Sequence, residues 1–407
     1  MKRNPFRNFN ELAVSPGREL ALEIAAAGLV ALNPESLLRN VVRIREGVLE
    51  IAGHSFSIAS GRIFVIGGGK ATDVMAAALE KTIGSRLITA GIVICKTQSA
   101  RPEVIQVCEA GHPIPDQRGV SAMSDLMALK SDYNIGPDDL VICLLSGGAS
   151  ALMPCPAPGI TLEDKQNLIR KLLASGADIA EVNAFRTRLS SSKGGGLGRH
   201  FSPATVVSLI VSDVIGNDLA AIGSGPTFAE DLSNCFNHII GDSSTALEAM
   251  KKEAVQKAKH VLILSNTLQG EPEPVAREIA ENILAGKFSD YDVLLAAGET
   301  TPVLPPNAGQ GGRNQHFAAS TLLALEKLPG GWTHVSLGSD GSDYLPDVAG
   351  AMVDSHTLQQ IHNMGLSIRE HLDRFDTYDL FKKTGNDLIE TGPTGTNVGD
   401  LMIYVLR

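Results

Sequence analysis

Cations stand in glycine-rich turns of this 407-residue chain: Lys70 closes Gly67-Gly68-Gly69-Lys70, and Arg313 lies in Gly311-Gly312-Arg313-Asn314-Gln315. Glycine lets a backbone approach a ligand closely, and unpaired amides at a helix start attract anions. A lysine there does little for helix stability but is well placed to bind phosphate or polarise a substrate. An arginine fork can stabilise the oxygens of a transferring phosphoryl group. Further small-residue turns are Ser146-Gly147-Gly148-Ala149-Ser150, Ser192-Lys193-Gly194-Gly195-Gly196, Gly223-Ser224-Gly225-Pro226-Thr227 and Gly392-Pro393-Thr394-Gly395-Thr396-Asn397. Most of these turns directly follow apolar runs. Together they suggest a site that holds several phosphates.

Carboxylates occupy similar places. Asp213 and Asp218 bracket Val214-Ile215-Gly216-Asn217, and Asp340, Asp343, Asp347 and Asp354 follow a later apolar run. Such groups can hold Mg²⁺ or accept a hydroxyl proton. Turn and cap chemistry is the competing reading for each. His112, in Gly111-His112-Pro113-Ile114-Pro115-Asp116, lies in a rigid loop where it could touch substrate, although packing or exposure is the commoner role. Other site types are absent. The P-loop pattern fails because Phe64 replaces its first glycine and Ala71 follows the lysine, and the dinucleotide pattern has Thr72 at its third glycine. There is no H-E-x-x-H and no G-x-S-x-G elbow.

The elements that would carry these turns are readable as strands at 62–66, 91–95, 104–108, 140–145 and 206–211, with helices at 15–29, after Asn33-Pro34-Glu35, at 71–79, 119–130, 161–174 and 178–190. Continuous apolar strands alternating with helices indicate a mainly parallel sheet covered on both faces, with ligands at the carboxyl ends of strands. Residues 228–243 read as polar, irregular and close to a boundary. Strands at 261–264, 293–297, 334–337 and 402–406 suggest a mixed sheet in the second half, and 302–312 reads as a Pro/Gly-rich loop.

The formal charge of −10 argues against nucleic acid or an anionic membrane as the main partner. Five cysteines without C-x-x-C spacing suit reduced, structural thiols in the cytoplasm. No apolar run reaches membrane-spanning length. A homodimer is compatible with the sequence, which leaves the oligomeric state open.

Taken in order, the Gly67-Gly68-Gly69-Lys70, Gly111-His112-Pro113-Ile114-Pro115-Asp116, Ser146–Ser150, Lys193-Gly194-Gly195, Ser212-Asp213-Val214-Ile215-Gly216-Asn217-Asp218, Ser224-Gly225-Pro226-Thr227, Gly312-Arg313-Asn314-Gln315 and Gly392-Pro393-Thr394-Gly395-Thr396-Asn397-Val398 segments resemble the class II glycerate kinases, which end in a MOFRL domain. The resemblance spans nearly the whole chain. It implies an α/β protein with a Rossmann-like N-terminal domain (1–240), a smaller C-terminal domain (241–407) and an active site in the cleft between them, assembled by domain closure. It also implies ATP- and Mg²⁺-dependent phosphorylation of D-glycerate, or a closely related sugar acid, at the 2-hydroxyl. Lys70, Arg313 and Asp213 fall on the family's key positions. The expected phosphate-binding set is Gly68, Gly69, Ser146, Gly147, Gly148, Ser150, Lys193, Gly194, Gly195, Asn217 and Asp218, with amides of 146–150 and 193–196 as the cradle. His112 and Asn314 are expected at the substrate, and Asp213 and Asp340 at the metal. The chain departs from the family at Thr187, Arg188, Asn217, His316 and in Ser339-Asp340-Gly341-Ser342-Asp343-Tyr344. A hydroxypyruvate reductase using NAD(P)H, or a sugar-acid sensor without chemistry, are the alternatives.

Overall fold

The computed structural model describes residues 4–58, 61–174, 185, 187–257, 259–345 and 347–406. Most of the helix expected at 178–190 lies outside them. The strands are β1 (Val42–Arg45), β2 (Val48–Ile51), β3 (His54–Ser57), β4 (Ile63–Gly68), β5 (Ile88–Cys95), β6 (Ile105–Glu109), β7 (Leu140–Leu145), β8 (Thr205–Val211), β9 (Cys235–Gly241), β10 (Val261–Leu268), β11 (Val293–Gly298), β12 (Thr333–Gly338), β13 (Gly350–Asp354), β14 (Leu388–Ile389) and β15 (Asp400–Val405). Two compact units contain them. One is Pro34–Asp242 with Gly395–Asn397; the other is Met1–Asn33, Ser243–Thr394 and Val398–Arg407.

The first unit is built on a six-stranded sheet in the order β6-β5-β4-β7-β8-β9, every neighbouring pair parallel. β4, β7 and almost all of β8 are buried along their length, as their unbroken Ile, Val and Leu runs require. Phe64, Ile66, Met123, Leu126, Val141 and Phe201 belong to the core on this sheet. The chain runs outward from β4 through β5 to β6, then returns to pair β7 with the other side of β4. Strand order therefore reverses between β4 and β7, where the carboxyl ends of an open parallel sheet leave a crevice.

Two elements differ from the sequence reading. β9, inside the stretch expected to be irregular, is an edge strand with half-buried residues, so no continuous apolar run betrays it. The small antiparallel sheet β1-β2-β3 was not anticipated. Its signal is alternation around the two-residue turns Glu46-Gly47 and Ala52-Gly53, all with positive φ.

The second unit has the mixed sheet β10-β11-β15-β12-β13-β14. β10 and β11 are parallel; β15 lies between β11 and β12, antiparallel to both. Leu294, Phe317, Leu322, Phe381, Met402 and Tyr404 form much of its core. A division at 240 would leave residues 1–33 with the parallel sheet. Instead the helix Pro16–Ala31, capped by Ser15, is anchored in the second unit through Arg18. The Arg18 guanidinium, 2% exposed, donates to Asp354 (2.6 Å), Asp387 (2.5 Å), Thr357 Oγ1 (2.8 Å) and the Asn386 carbonyl (2.6 Å). Removing one partner of a buried ion network leaves uncompensated charge, so Arg18→Met is expected to lower stability by about 3–5 kcal/mol. Urea unfolding followed by circular dichroism checks this; a midpoint equal to the wild type's would contradict it.

All five cysteines are free, and burial pushes the Cys95 and Cys143 thiols up to about 12, as inert structural thiols require. No single helix among the described residues is long and apolar enough to cross a membrane.

Candidate active site

At the switch point the turn after β4 and the turn after β7 are bonded to one another. The Lys70 amide donates to the Gly147 carbonyl (2.8 Å) and the Ala71 amide to Ser146 Oγ (3.0 Å). A side chain at Gly67 or Gly69 would collide with Leu144 or Ser146, so these glycines are needed for the approach of the two turns. The Gly69 amide is engaged by the Ile94 carbonyl (3.0 Å). What the first turn offers a ligand is therefore the Lys70 side chain rather than a row of free amides.

The second turn is different. The amides of Gly147 and Gly148 have no hydrogen-bond partner among the described residues. Gly148 holds a left-handed backbone (φ 86°), and a Cβ there would stand 3.0 Å from the His112 ring and 3.3 Å from Lys70 Cγ. His112, Lys70 and two unpaired amides thus converge at this turn. Beside it lies a cavity of about 700 Å³, with His112, Ser150, Lys165, Arg170 and Lys193 in its wall and no carboxylate among the described residues that line it. Such a lining selects an anion.

Lys193 Nζ donates to the Ser150 carbonyl (3.0 Å) and to the hydroxyls of Ser150 and Ser224. The amide cradle expected at 193–196 is not present. Gly194 and Gly195 donate to the Ser224 and Gly225 carbonyls (2.9 and 2.6 Å), and Gly196 to the Lys193 carbonyl (3.0 Å). The turn 192–196 is thereby tied to the 223–227 turn, and it contributes its lysine alone. Thr187 packs against Gly194: its Cγ2 lies 2.5 Å from where a Cβ would be. The Arg188 guanidinium lies 6.0 Å from the Phe185 ring centroid.

Asp213 follows β8 on the same side of the sheet. Its Oδ2 accepts from Asn397 Nδ2 (2.8 Å), and a Cβ on Gly147 would strike its carboxylate. Asn397, part of the Gly395–Asn397 segment that joins this unit, was missing from the expected site. Its partner lies 184 positions away, and only its place in the small-residue turn Gly392-Pro393-Thr394-Gly395-Thr396-Asn397 hinted at it. Asn217 and Asp218 are used locally: Asn217 donates to Asp242 (2.7 Å), and Asp218 accepts from the Ala220 amide (2.9 Å). No group of three His, Cys, Asp or Glu able to hold a metal occurs among the described residues. Mg²⁺ does not need one, since it is commonly held by one or two carboxylates together with phosphate oxygens and water. The Asp213 carboxylate beside the unpaired Gly147 amide fits that mode.

The second unit has its own convergence, around the start of the helix Arg313–Ala324. Arg313 Nε and Nη2 donate to the two oxygens of Asp400 (2.6 and 3.0 Å), and Nη1 pairs with Glu299 (2.7 Å). Asp400 begins β15 in register with the ends of β11 and β12, at Gly298 and Gly338. Burial opposes the Arg313 charge, but Asp400, Glu299 and Asp343 outweigh it and hold its pKa above the ordinary value. Burial pushes the Asp400 carboxyl up to about 6, against the pull of Arg313. Of five guanidinium N–H groups three are engaged, so two remain for a ligand, and about a third of the side chain is exposed (32%).

Asp343 caps this helix, accepting from the Asn314 and Gln315 amides (3.0 and 2.9 Å) and from Gln315 Nε2 (3.0 Å). Asn314 was expected at the substrate. It is 1% exposed, and its side chain donates to Asp400 (2.9 Å) and accepts from Ser336 (2.6 Å), so it supports Asp400 from below. Asp340 Oδ1 accepts from the amide and hydroxyl of Ser342 (3.0 and 3.1 Å), a local turn. Asp354 caps a helix and pairs with Arg18. Asp400 and Glu299, the residues that aim Arg313, carried no sequence signal beyond being acidic beside a strand.

A family model described as Domain of unknown function (DUF4147) matches residues 20–273, and the MOFRL family model matches residues 292–400. A protein named putative hydroxypyruvate reductase from Agrobacterium vitis is 38% identical, covering 85% of this chain and 100% of that one. A glycerate 2-kinase from Pyrococcus horikoshii is 31% identical, covering 96% and 97%. The crystal structure of a glycerate kinase from Thermotoga maritima superposes with a TM-score of 0.84 at 31% identity, covering 96% of this chain and 99% of that one. With both family segments in order and relatives matched along most of their length, the chain belongs to the MOFRL family of glycerate 2-kinases.

Proposed function

We propose that this protein transfers the γ-phosphoryl group of ATP to the 2-hydroxyl of D-glycerate, or of a closely related small sugar acid, giving 2-phosphoglycerate. The observation that carries this reading is the turn at Gly147 and Gly148: two unpaired amides, flanked by Lys70 and His112, opening on a cavity lined by cations. The names of the glycerate kinase relatives point to the same chemistry.

In this reading the two amides hold phosphate oxygens, Lys193 adds its positive charge beside them, and Lys70 neutralises charge on the transferring group. Asp213 accepts the hydroxyl proton as the new O–P bond forms and the bond to the ADP oxygen breaks. Arg313, aimed by Asp400 and with two N–H groups still open, is the cation of the second unit available to an anionic group of the reactants. Alternatively Asp213 would hold Mg²⁺, which would neutralise phosphate charge when bound. His112 meets the acceptor.

The reductase reading draws on the name of the Agrobacterium relative and on the strand order of the sheet. Against it, amides that a dinucleotide fold turns to the pyrophosphate are engaged here: Gly69 by Ile94, Lys70 by Gly147 and Ala71 by Ser146. Titrations with Mg·ATP and NADH, and ADP release across a panel of short hydroxy acids, separate the two. The expected result is D-glycerate-dependent ADP release, with 2-phosphoglycerate identified by phosphorus NMR. Hydroxypyruvate-dependent oxidation of NADH without ADP release would reject the kinase.

A further inference from the structure

In the second unit a cavity of about 500 Å³ borders the helix Arg313–Ala324, and none of its lining residues belongs to the sites described above. Its wall includes Pro272, Pro274, the loop 302–306, His316 and Phe375. His316 and Phe375 are stacked, with ring centroids 4.1 Å apart and planes within 13°. The imidazole is 6% exposed, and its Nδ1 has no hydrogen-bond partner among the described residues. Burial lowers its pKa to about 4, so the ring is neutral at pH 7.

Phe375 holds this position with a left-handed backbone (φ 53°), a conformation that costs a bulky residue about 1–2 kcal/mol and that recurs at ligand clamps. On the loop, Val303 and Leu304 are 74% and 58% exposed, so apolar side chains stand uncovered at the cavity. The lining carboxylates are Glu271, Glu273 and Asp373, and the lining guanidinium is Arg277. Arg369 clamps Glu273 (2.9 and 3.2 Å) and reaches Asp373 (3.4 Å). Three carboxylates against two guanidiniums leave one net negative charge. A phosphate or sugar acid is therefore the wrong ligand here, whereas a flat ring with one positive charge matches the floor, the proline walls and the rim.

We propose that this cavity binds an aromatic amine, its ring packed against the Phe375–His316 pair and its ammonium group placed at Glu271 and Asp373. The proposal does not rest on the kinase reading. Tryptamine is the probe, and indole-3-acetate, with the same ring and the opposite charge, is its control. Calorimetric titration of the full chain is expected to show tryptamine binding about tenfold or more tighter than indole-3-acetate. Phe375→Ala should weaken tryptamine about tenfold. Because that site is buried, the exposed pair Glu271→Gln with Asp373→Asn is the second variant; it should close the gap between the two probes while glycerate-dependent ADP release stays unchanged. Failure of tryptamine to saturate, equal binding of both probes, or wild-type discrimination in the surface variant would each overturn the proposal.

Discussion

Replacing Arg313 by methionine is expected to lower kcat/KM by about 10³–10⁵-fold, the range over which a cation on a transferring phosphoryl group acts. The same change should also destabilise the protein, by about 3–5 kcal/mol, because Asp400 is fully buried and loses its main counter-charge. Arg313→Lys separates the two effects. It keeps a positive charge near Asp400, so stability recovers in part. It loses the planar fork that Asp400 grips at two atoms, so the activity defect remains large.

The pH profile follows from the same pair. The Asp400 carboxyl titrates at about 6, pushed up by burial. Its grip on Arg313 requires the ionised form, so kcat/KM should fall as pH drops through about 6. Stability has the opposite sign. The folded pKa lies above the unfolded value, so the native state binds the proton more tightly. The contribution of Asp400 to stability is then fully present below about pH 4 and is lost as pH rises through about 6. Asp400→Asn should flatten this component of both profiles. An acid limb near pH 6 that persists in Asp400→Asn would show that another group governs it.

The sequence displayed the parts of the site that follow unbroken apolar strands. β4, β7 and almost all of β8 are buried, so the turns at 67–70 and 146–150 and the residues after 211 were legible as strand ends, and Lys70, Gly148 and Asp213 could be named from them. What each turn does was not legible. The glycine run at 193–196 looks like an amide cradle, yet its amides serve the 223–227 turn, a pairing fixed only by the fold. Asn314 follows a glycine-rich loop, opens a helix as its sequence suggests and reads as a ligand residue, but its side chain is buried against Asp400 of β15 and Ser336 of β12. Asp400 was hidden for the opposite reason. The last strand was visible, but not its central place between β11 and β12, which turns a terminal acid into the anchor of Arg313. β9 escaped because an edge strand with one covered side has no continuous hydrophobic pattern.

Lys70→Met is expected to reduce kcat/KM by about 10³-fold or more with little change in melting temperature. The separation from stability is physical. Lys70 is half-buried at the cavity turn, and the bond that fixes the loop is made by its amide, which donates to the Gly147 carbonyl in either variant. Methionine keeps the stem that packs over Gly148 and replaces the ammonium group. Gly148→Ala tests the same place from the other side. Its left-handed backbone disfavours a side chain, and the added Cβ must displace the His112 ring, 3.0 Å away, or the Lys70 stem, 3.3 Å away. If the turn holds phosphate, both variants lose Mg·ATP affinity and turnover together, and added salt does not rescue either. If Lys70 were a solvated surface charge, Lys70→Met would turn over near the wild-type rate while Gly148→Ala was merely less stable. Steady-state kinetics with thermal melts on the two proteins distinguish these results.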